Sequence, residues 1–551
     1  MLLGWRRDPA WTALTGLALG VMLLFLVWPL LGMLGQSLVA SDGSTGWGAY
    51  LRFFSEAQYR TVLLNTLVLG AAVTLGAVLL GGGLAFAVAR CSFPLAGWVA
   101  ALPLLTLVIP DVVVAAAWVL VLGKQGLVNE WLARWGWQLP SLYTWWGLVF
   151  VMTLDHYVYA FVAVLVGLKS MDRGLEEAAL SLGSPPGRVM RTVTVRLLMP
   201  SVFAAVLVVF THVIGSFGIP AILGPRIPVL AVKAYNEFVS EMGGDPQMPA
   251  ATASVLVLLG SVLLLLQKLV VERRQYQMES GRPPLPVPLS GWRAALATGG
   301  VLALVLLSAL PTVVVLLTAF TPSAGPILHY GEFTLRHFES ALMRAPEPLY
   351  NSLFLAAVAT AAGVLFSVVT AYLVVKRRSV FTAGLDLLVM LPLTVAGTVL
   401  GIALAQAFSS GWLVLAGTWP IMALAYFLRR VPSSVRAAAG PLHNVKDHLE
   451  DASMSLGVGP LRTFFQVVVP VIGPSVAAAA VLMWITSLSE LSATVVLYFG
   501  GMSTMPIEIF QQVDSGRLAL ASAYSVLLLV AIFIPLVLAR WVFRLRLTSL
   551  Q

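Results

Sequence analysis

Twelve apolar runs, each close to or above the length that crosses a bilayer, decide what this chain of 551 residues can fold into. They fall near 10–35, 62–89, 97–122, 144–168, 201–223, 249–271, 294–320, 350–375, 380–408, 411–428, 474–498 and 518–543. A helix needs about 20 apolar residues to cross the hydrocarbon core. Lipid offers no partner for backbone N–H and C=O groups, so a spanning segment is a helix or part of a closed barrel. These runs are long and do not alternate, which selects helices. Only 10% of the residues are charged, against roughly 25% in soluble domains, so the length does not signal several soluble domains. The tenth run is the weakest, because Arg429 and Arg430 cut it short. The first run is too long for a signal-peptide core and is read as a retained helix.

Lys and Arg placement sets the orientation. With a cytosolic N-terminus, 24 of the 33 basic residues fall on cytosolic segments, Arg429 and Arg430 among them. That is the positive-inside asymmetry. The net charge of +9 therefore reflects orientation and does not point to nucleic acid. The single Cys91 excludes a disulfide framework.

The chain repeats itself. Leu175–Val202 aligns without a gap on Leu449–Val476, 274 residues later, pairing Glu176 with Glu450, Gly183 with Gly457 and Pro186 with Pro460. At a slightly larger offset of 286, Asn65-Thr66-Leu67 matches Asn351-Ser352-Leu353. Six helices per copy is an even number, so the copies enter from the same side as parallel repeats. The expected division is a first half, 1–271, a charged and Pro-rich cytosolic linker, 272–292, and a second half, 293–551. The non-cytosolic loops near 36–61, 220–248 and 321–349 carry Glu237 and other acids. They are too small to form a capture domain.

Both long polar segments, 172–200 and 441–474, fall on the cytosolic side. Each reads as helix, glycine stop, second helix. Gly183 ends the first helix and Pro185 or Pro186 opens the next, while Gly457 and Pro460 repeat the pattern. The small faces Ala178-Ala179 and Ala452-Ser453 suit docking into a groove.

These residues resemble the EAA loop of binding-protein-dependent ABC importer permeases. Glu177, Ala178, Ala179 and Gly183 match it in the first copy, and Asp451, Ala452, Ser453, Gly457, Val467, Val469 and Pro470 in the second. Arg196 stands where the first copy should have the final proline, with Pro200 nearby. The resemblance implies the type I importer permease fold, all-α with twelve transmembrane helices in two six-helix repeats. It also implies that both loops are coupling helices seated on two copies of a cytosolic ABC ATPase, which hold ATP and Mg. A periplasmic or extracellular binding protein would deliver the cargo. The setting would be the bacterial inner membrane, with both termini cytosolic.

A fused double permease of this size resembles the iron(III) importer permeases most. Ser216-Phe217-Gly218-Ile219-Pro220 looks like that family's Asp-Phe-Gly-x-Pro stretch, with Ser216 in place of Asp. Phosphonate (2-aminoethylphosphonate-like) and thiamine permeases share much of the pattern, so they stand as alternative cargoes. The chain has no Walker A pattern, so it is read as a non-catalytic subunit without a cofactor of its own.

Charges inside apolar runs are costly, so each points to a role. Glu490, aligned with Ser216, lies in run eleven and is either a pathway residue or a structural hydrogen-bonding group. Asp155-His156 aligns with Arg429-Arg430, so all four share one depth. That depth is mid-membrane, or helices four and ten end early; the structural reading favours an Asp155–Arg pair. Asp111 follows Pro110, which is expected to kink helix three. The six histidines are scattered and show no metal-ligand spacing. A secondary transporter driven by an ion gradient is the main rival; it would need inverted repeats or carboxylate relays and no matched cytosolic elbows.

Overall fold

The computed structural model describes residues 9–39, 43–92, 102–103, 106, 109–240, 247–273, 287–288, 291–324, 327–329 and 331–543. The spanning and functional helices of the first repeat are α1 (Pro9–Gln36), α2 (Ala57–Arg90), α3 (Asp111–Leu122), α4 (Trp145–Lys169), α5 (Arg173–Ser181), α6 (Val195–Gly215), α7 (Gly218–Leu223) and α8 (Gln247–Arg273). The second repeat follows with α9 (Gly291–Ala319), α10 (Glu347–Lys376), α11 (Val380–Met390), α12 (Gly397–Ala407), α13 (Trp419–Asn444), α14 (Asp447–Ser455), α15 (Val469–Leu488), α16 (Thr494–Leu497) and α17 (Leu518–Phe543).

Ten helices among the described residues are long and apolar enough to span, and they account for ten of the twelve runs. The other two runs differ from expectation in instructive ways. Run nine is a broken pair, α11 with the short turn that follows and α12, bent by 111°. Run ten does not stop at its arginines: α13 continues through Arg429 and Arg430 to Asn444. Apolar counting ends a helix at a charge, whereas backbone hydrogen bonds continue wherever the side chains find partners. The basic asymmetry stands with or without those two arginines, since 22 of the other 31 basic residues remain on the cytosolic segments.

Runs five and eleven are also broken. α6 ends at Gly215 and α15 at Leu488, and a short irregular link leads each into a brief helix, α7 or α16. Pro110 does not kink a helix but precedes α3 as its N-cap, which leaves Asp111 in the first turn. Of the expected linker, residues 274–286 and 289–290 lie outside the described residues; Val287-Pro288 pairs in parallel with Cys91-Ser92.

The Asn-Thr and Asn-Ser dipeptides shared by the repeats have a structural reason. Leu230 N donates to Thr66 Oγ1 at 2.9 Å, and Met505 N donates to Ser352 Oγ at 2.8 Å. Asn65 donates to the Pro228 carbonyl, and Asn351 to the carbonyls of Gly501 and Ser503. In both repeats the long helix thereby holds the segment after the broken link. Helices α2 and α4 pack closely because Gly81 leaves room: a Cβ there would lie 2.2 Å from the Tyr157 carbonyl oxygen. Small residues permit such approach within membranes.

The repeats are not separate bodies. Trp11 of α1 stacks on Tyr372 of the second repeat at 4.6 Å and meets Phe464 at 5.5 Å. In return α9 packs on α3 of the first repeat, and its Ser308 hydroxyl lies 3.0 Å from that of Tyr157 on α4. Each repeat's first helix thus packs against the other repeat.

Candidate functional site

The two cytosolic elbows have the same geometry. α5 starts at Asp172, whose carboxylate accepts from Gly174 N, and ends where Gly183 adopts φ +81°. Ser184 N then donates to the Ala179 carbonyl and Gly183 N to the Leu180 carbonyl. α14 ends in the same way: Gly457 has φ +83°, Val458 N donates to Ser453 and Gly457 N to Met454. This paired bonding is a Schellman stop, which favours glycine because an L side chain is strained at positive φ. Pro186 and Pro460 open the next short helices, and a five-residue π turn follows in each, Met190–Thr194 and Phe464–Val468. Both chains then run straight into α6 and α15, so Arg196 at the expected proline position does not alter the exit.

Two acids share the work in the first elbow. Glu177, the motif residue, is exposed and pairs with Arg173 at 2.5 Å. Glu176 faces inward, where Arg90 donates two bonds at 2.6 Å and Thr194 one at 2.5 Å. Burial raises the Glu176 pKa, but these donors outweigh it and hold the carboxyl below its ordinary range. In the second elbow, Glu450 accepts from Tyr372 at 2.7 Å, with Lys376 Nζ at 3.9 Å. Lys376 also bonds Asp447 and the Val445 carbonyl. Arg90 and Lys376 are equivalent at the offset of 286, so each elbow is tied to the end of the long helix of its own repeat. Sequence reading aligned Glu176 with Glu450 but did not identify them as anchors; their alignment was the available signal.

The outer face of each elbow is free. α5 buries none of its residues, and Leu182 and Leu456, equivalent residues at the two tips, are 87% and 85% exposed. Ala178, Ala179, Ala452 and Ser453 lie on the helices that end at these tips. Pro470 lies beyond the second elbow, in the first turn of α15.

The broken links of both repeats converge on a polar cavity of about 180 Å³. All five expected pathway residues line it: Asp111, Asp155, His156, Ser216 and Glu490. Arg429, Arg430, His212 and Tyr159 join them. A second void of about 130 Å³ is lined by four of the same residues, His212, Gly215, Arg429 and Arg430, and continues toward the bend between α11 and α12.

The pairing inside differs from expectation. Asp155 does not pair with an arginine; its carboxyl lies 3.2 Å from His156 Nδ1, which also faces the Met152 carbonyl at 3.0 Å. Glu490 takes both arginines, Arg429 at 3.0 Å and Arg430 at 2.6 Å, and also accepts from Ala493 N. Arg430 donates further to the Thr486 carbonyl. Ser216 donates weakly to Asp111 at 3.4 Å. Glu490 sits after the end of α15 rather than within a helix, and it is 2% exposed while its two arginine partners are 21% exposed. The shared depth of Asp155-His156 and Arg429-Arg430 is thus mid-helix in α4 and α13. Although His156 and His212 share the cavity, the described residues hold no group of three or more His, Cys, Asp or Glu placed to bind a metal. Glu237, expected on an outer loop, is buried and accepts from Tyr59 at 2.6 Å and Thr252 at 2.8 Å.

The sequence profile of the binding-protein-dependent transport system inner membrane component matches this chain twice, over residues 77–276 and 363–546. The chain belongs to this family. The permease is similar over 97% of its length, at 25% identity, to a Fe(3+)-transport system permease protein of Haemophilus influenzae, 99% of which is covered. A ferric transport system permease protein of Actinobacillus pleuropneumoniae is 26% identical over 89% of the permease and 72% of its own length. A putative 2-aminoethylphosphonate transport system permease protein of Salmonella paratyphi A is 31% identical, but over only 42% of the permease and 89% of its own length. The permease is therefore a fused, duplicated membrane subunit of an ABC importer, and its two matched segments each contain one elbow and one broken link.

Proposed function

We propose that this permease forms the translocation path of an iron(III) importer and is driven by two copies of a cytosolic ATPase that grip the two elbows. The observation that carries this reading is the matched pair of protruding tips, where Leu182 and Leu456 stand almost fully exposed on identical Schellman stops. Apolar side chains held out on rigid, repeated supports suit a partner groove. Two equivalent elbows suit two copies of one partner.

ATP and Mg reside on those ATPases, and hydrolysis occurs there. Closure of the ATPases draws the elbows together. The Arg90–Glu176 and Lys376–Glu450 ties pass that movement to α2 and α10, and the halves 1–271 and 293–551, joined by the linker 272–292, rock about the cavity. A periplasmic or extracellular binding protein delivers cargo from the opposite side. The membrane is the bacterial inner membrane, with both termini cytosolic. The cargo reading is supported by the ferric permeases, which align along nearly the whole chain, whereas the phosphonate relative aligns over less than half.

The test is the double variant Leu182→Arg and Leu456→Arg, made at exposed positions so that folding is spared. It should abolish ATPase co-purification and iron uptake in cells expressing the full transporter, while the permease still reaches the membrane. Normal co-purification and uptake would refute the coupling role. Uptake of 2-aminoethylphosphonate without iron uptake would reassign the cargo.

A further inference from the structure

The elbows of the two repeats are alike, but the walls of the cavity are opposite. At equivalent positions the first repeat places Asp155 and His156, and the second places Arg429 and Arg430. The next equivalent pair is Ser216 and Glu490. Asp111 adds a second carboxyl to the first wall, and its recorded partner is a hydroxyl rather than a cation. On the second wall two guanidinium groups share the single Glu490 carboxylate, which leaves one positive charge in excess.

One guanidinium neutralises Glu490, and among the described residues the second has no further carboxylate within ion-pair distance. Guanidinium groups carry several N–H donors suited to planar or tetrahedral oxyanions. The bonds to Glu490 and Thr486 use few of them, and Arg430 Nε is buried without a hydrogen-bond partner among the described residues. A bare multivalent cation would meet repulsion on that wall. A bare anion seated there would leave the carboxyls of Asp111 and Asp155 on the facing wall without a cationic partner.

We propose that this cavity is a cargo-binding site for a small species that carries an oxyanion beside a cationic centre. The oxyanion is seated on Arg429 and Arg430, and the cationic centre is turned toward Asp111 and Asp155. Size agrees: about 180 Å³ corresponds to about six water molecules at roughly 30 Å³ each. That admits a metal–oxyanion pair or an amino-oxyanion. Both sources share the same chemistry. The inference rests on the importer reading in that it makes the cavity part of the path, and under the iron reading it means that the metal passes with an oxyanion attached.

The full-length permease in nanodiscs, without ATPases, tests this by equilibrium binding. Four probes serve: inorganic phosphate, iron(III) presented with phosphate, 2-aminoethylphosphonate, and hexaamminecobalt(III) as a trivalent cation without an oxyanion. One of the two dipolar probes should bind more tightly than phosphate, and which one does identifies the source. Arg429→Gln should weaken that binding about tenfold or more. Because Arg430→Gln alone leaves Glu490 less well paired, the double variant Arg430→Gln with Glu490→Gln is measured beside it, and the same loss is expected. Asp155→Asn should weaken the dipolar probe and leave phosphate unchanged or tighter. Binding of hexaamminecobalt(III) as tight as that of the dipolar probe, or retention of dipolar binding in both arginine variants, would overturn the proposal. The importer reading fails by a different result, normal uptake in the elbow-tip variant, so the two failures are distinguishable.

Discussion

The elbows and the cavity walls are both products of one duplication, yet only the elbows have stayed alike. At the elbows the repeats share the glycine stop, the opening proline, the π turn and an exposed leucine. At the cavity the same repeats place Asp-His against Arg-Arg and Ser against Glu. Under the proposed coupling, a surface that meets two copies of one partner is held to a common shape by both contacts. A cavity that meets a single cargo without twofold symmetry, as proposed above, leaves its two walls free to specialise.

The comparison breaks most visibly at Glu490. Glu490→Ala leaves two guanidinium groups without their carboxylate and should destabilise the permease by about 3 kcal/mol or more. Ser216→Ala, at the equivalent place in the first repeat, removes one long hydrogen bond and should cost less than about 1 kcal/mol. Thermal unfolding in detergent ranks the two. Similar losses would mean that the walls are energetically symmetric despite their charges.

The elbows carry a smaller asymmetry in how they are tied. Arg90→Ala removes both bidentate bonds to a half-buried carboxylate and should cost about 2 kcal/mol. Each variant leaves one hydroxyl donor, Thr194 on Glu176 or Tyr372 on Glu450, but Lys376→Ala removes a 3.9 Å contact to Glu450 rather than two short bonds and should cost less. Hydrogen exchange of α5 in the first variant and of α14 in the second measures this directly. Equal loosening would show that the second elbow depends on its lysine as much as the first depends on its arginine. At the glycine stops the repeats should agree: Gly183→Ala and Gly457→Ala each place a Cβ at positive φ in open space. Each should cost about 1 kcal/mol, and the costs should add in the double variant because the sites share no partner.

The elbows were legible because their structure is local. A glycine stop, a proline start and a gapless repeat leave marks within a few residues of one another, and Gly183 and Gly457 adopt the positive φ that a glycine stop calls for. The depth of Asp155-His156 was legible as a choice between two readings, and the continuous helices α4 and α13 exclude a helix end at these residues. The pairing of Glu490 was not, because its partners lie about sixty residues upstream and the aligned Asp155 offered a simpler cation partner. The breaks at Ser216 and Ser489 were hidden because the chain on both sides is apolar and hydropathy does not register a change of direction. The exchange of α1 and α9 between repeats leaves no local mark; it rests on contacts such as Trp11 with Tyr372, more than three hundred residues apart.

Acid offers the gentlest probe of the same asymmetry. The Glu176 carboxyl is held below its ordinary range in the folded protein, so the unfolded chain binds the proton more readily. Its contribution is therefore complete at neutral pH and is lost as pH falls through and below the ordinary carboxylate range. Asp447 in the second elbow is also lowered, chiefly by its hydrogen bond from Lys376, but it is fully exposed and solvent screens the pair. Acidification from neutral pH to below the carboxylate range should then raise hydrogen exchange in α5 more than in α14. Arg90→Ala should shrink the α5 response, since Glu176 then keeps only Thr194 of the two donors that lower its pKa. A larger response in α14, or an α5 response undiminished by Arg90→Ala, would place the acid-sensitive tie elsewhere and leave the two elbows without the difference in anchoring argued from their geometry.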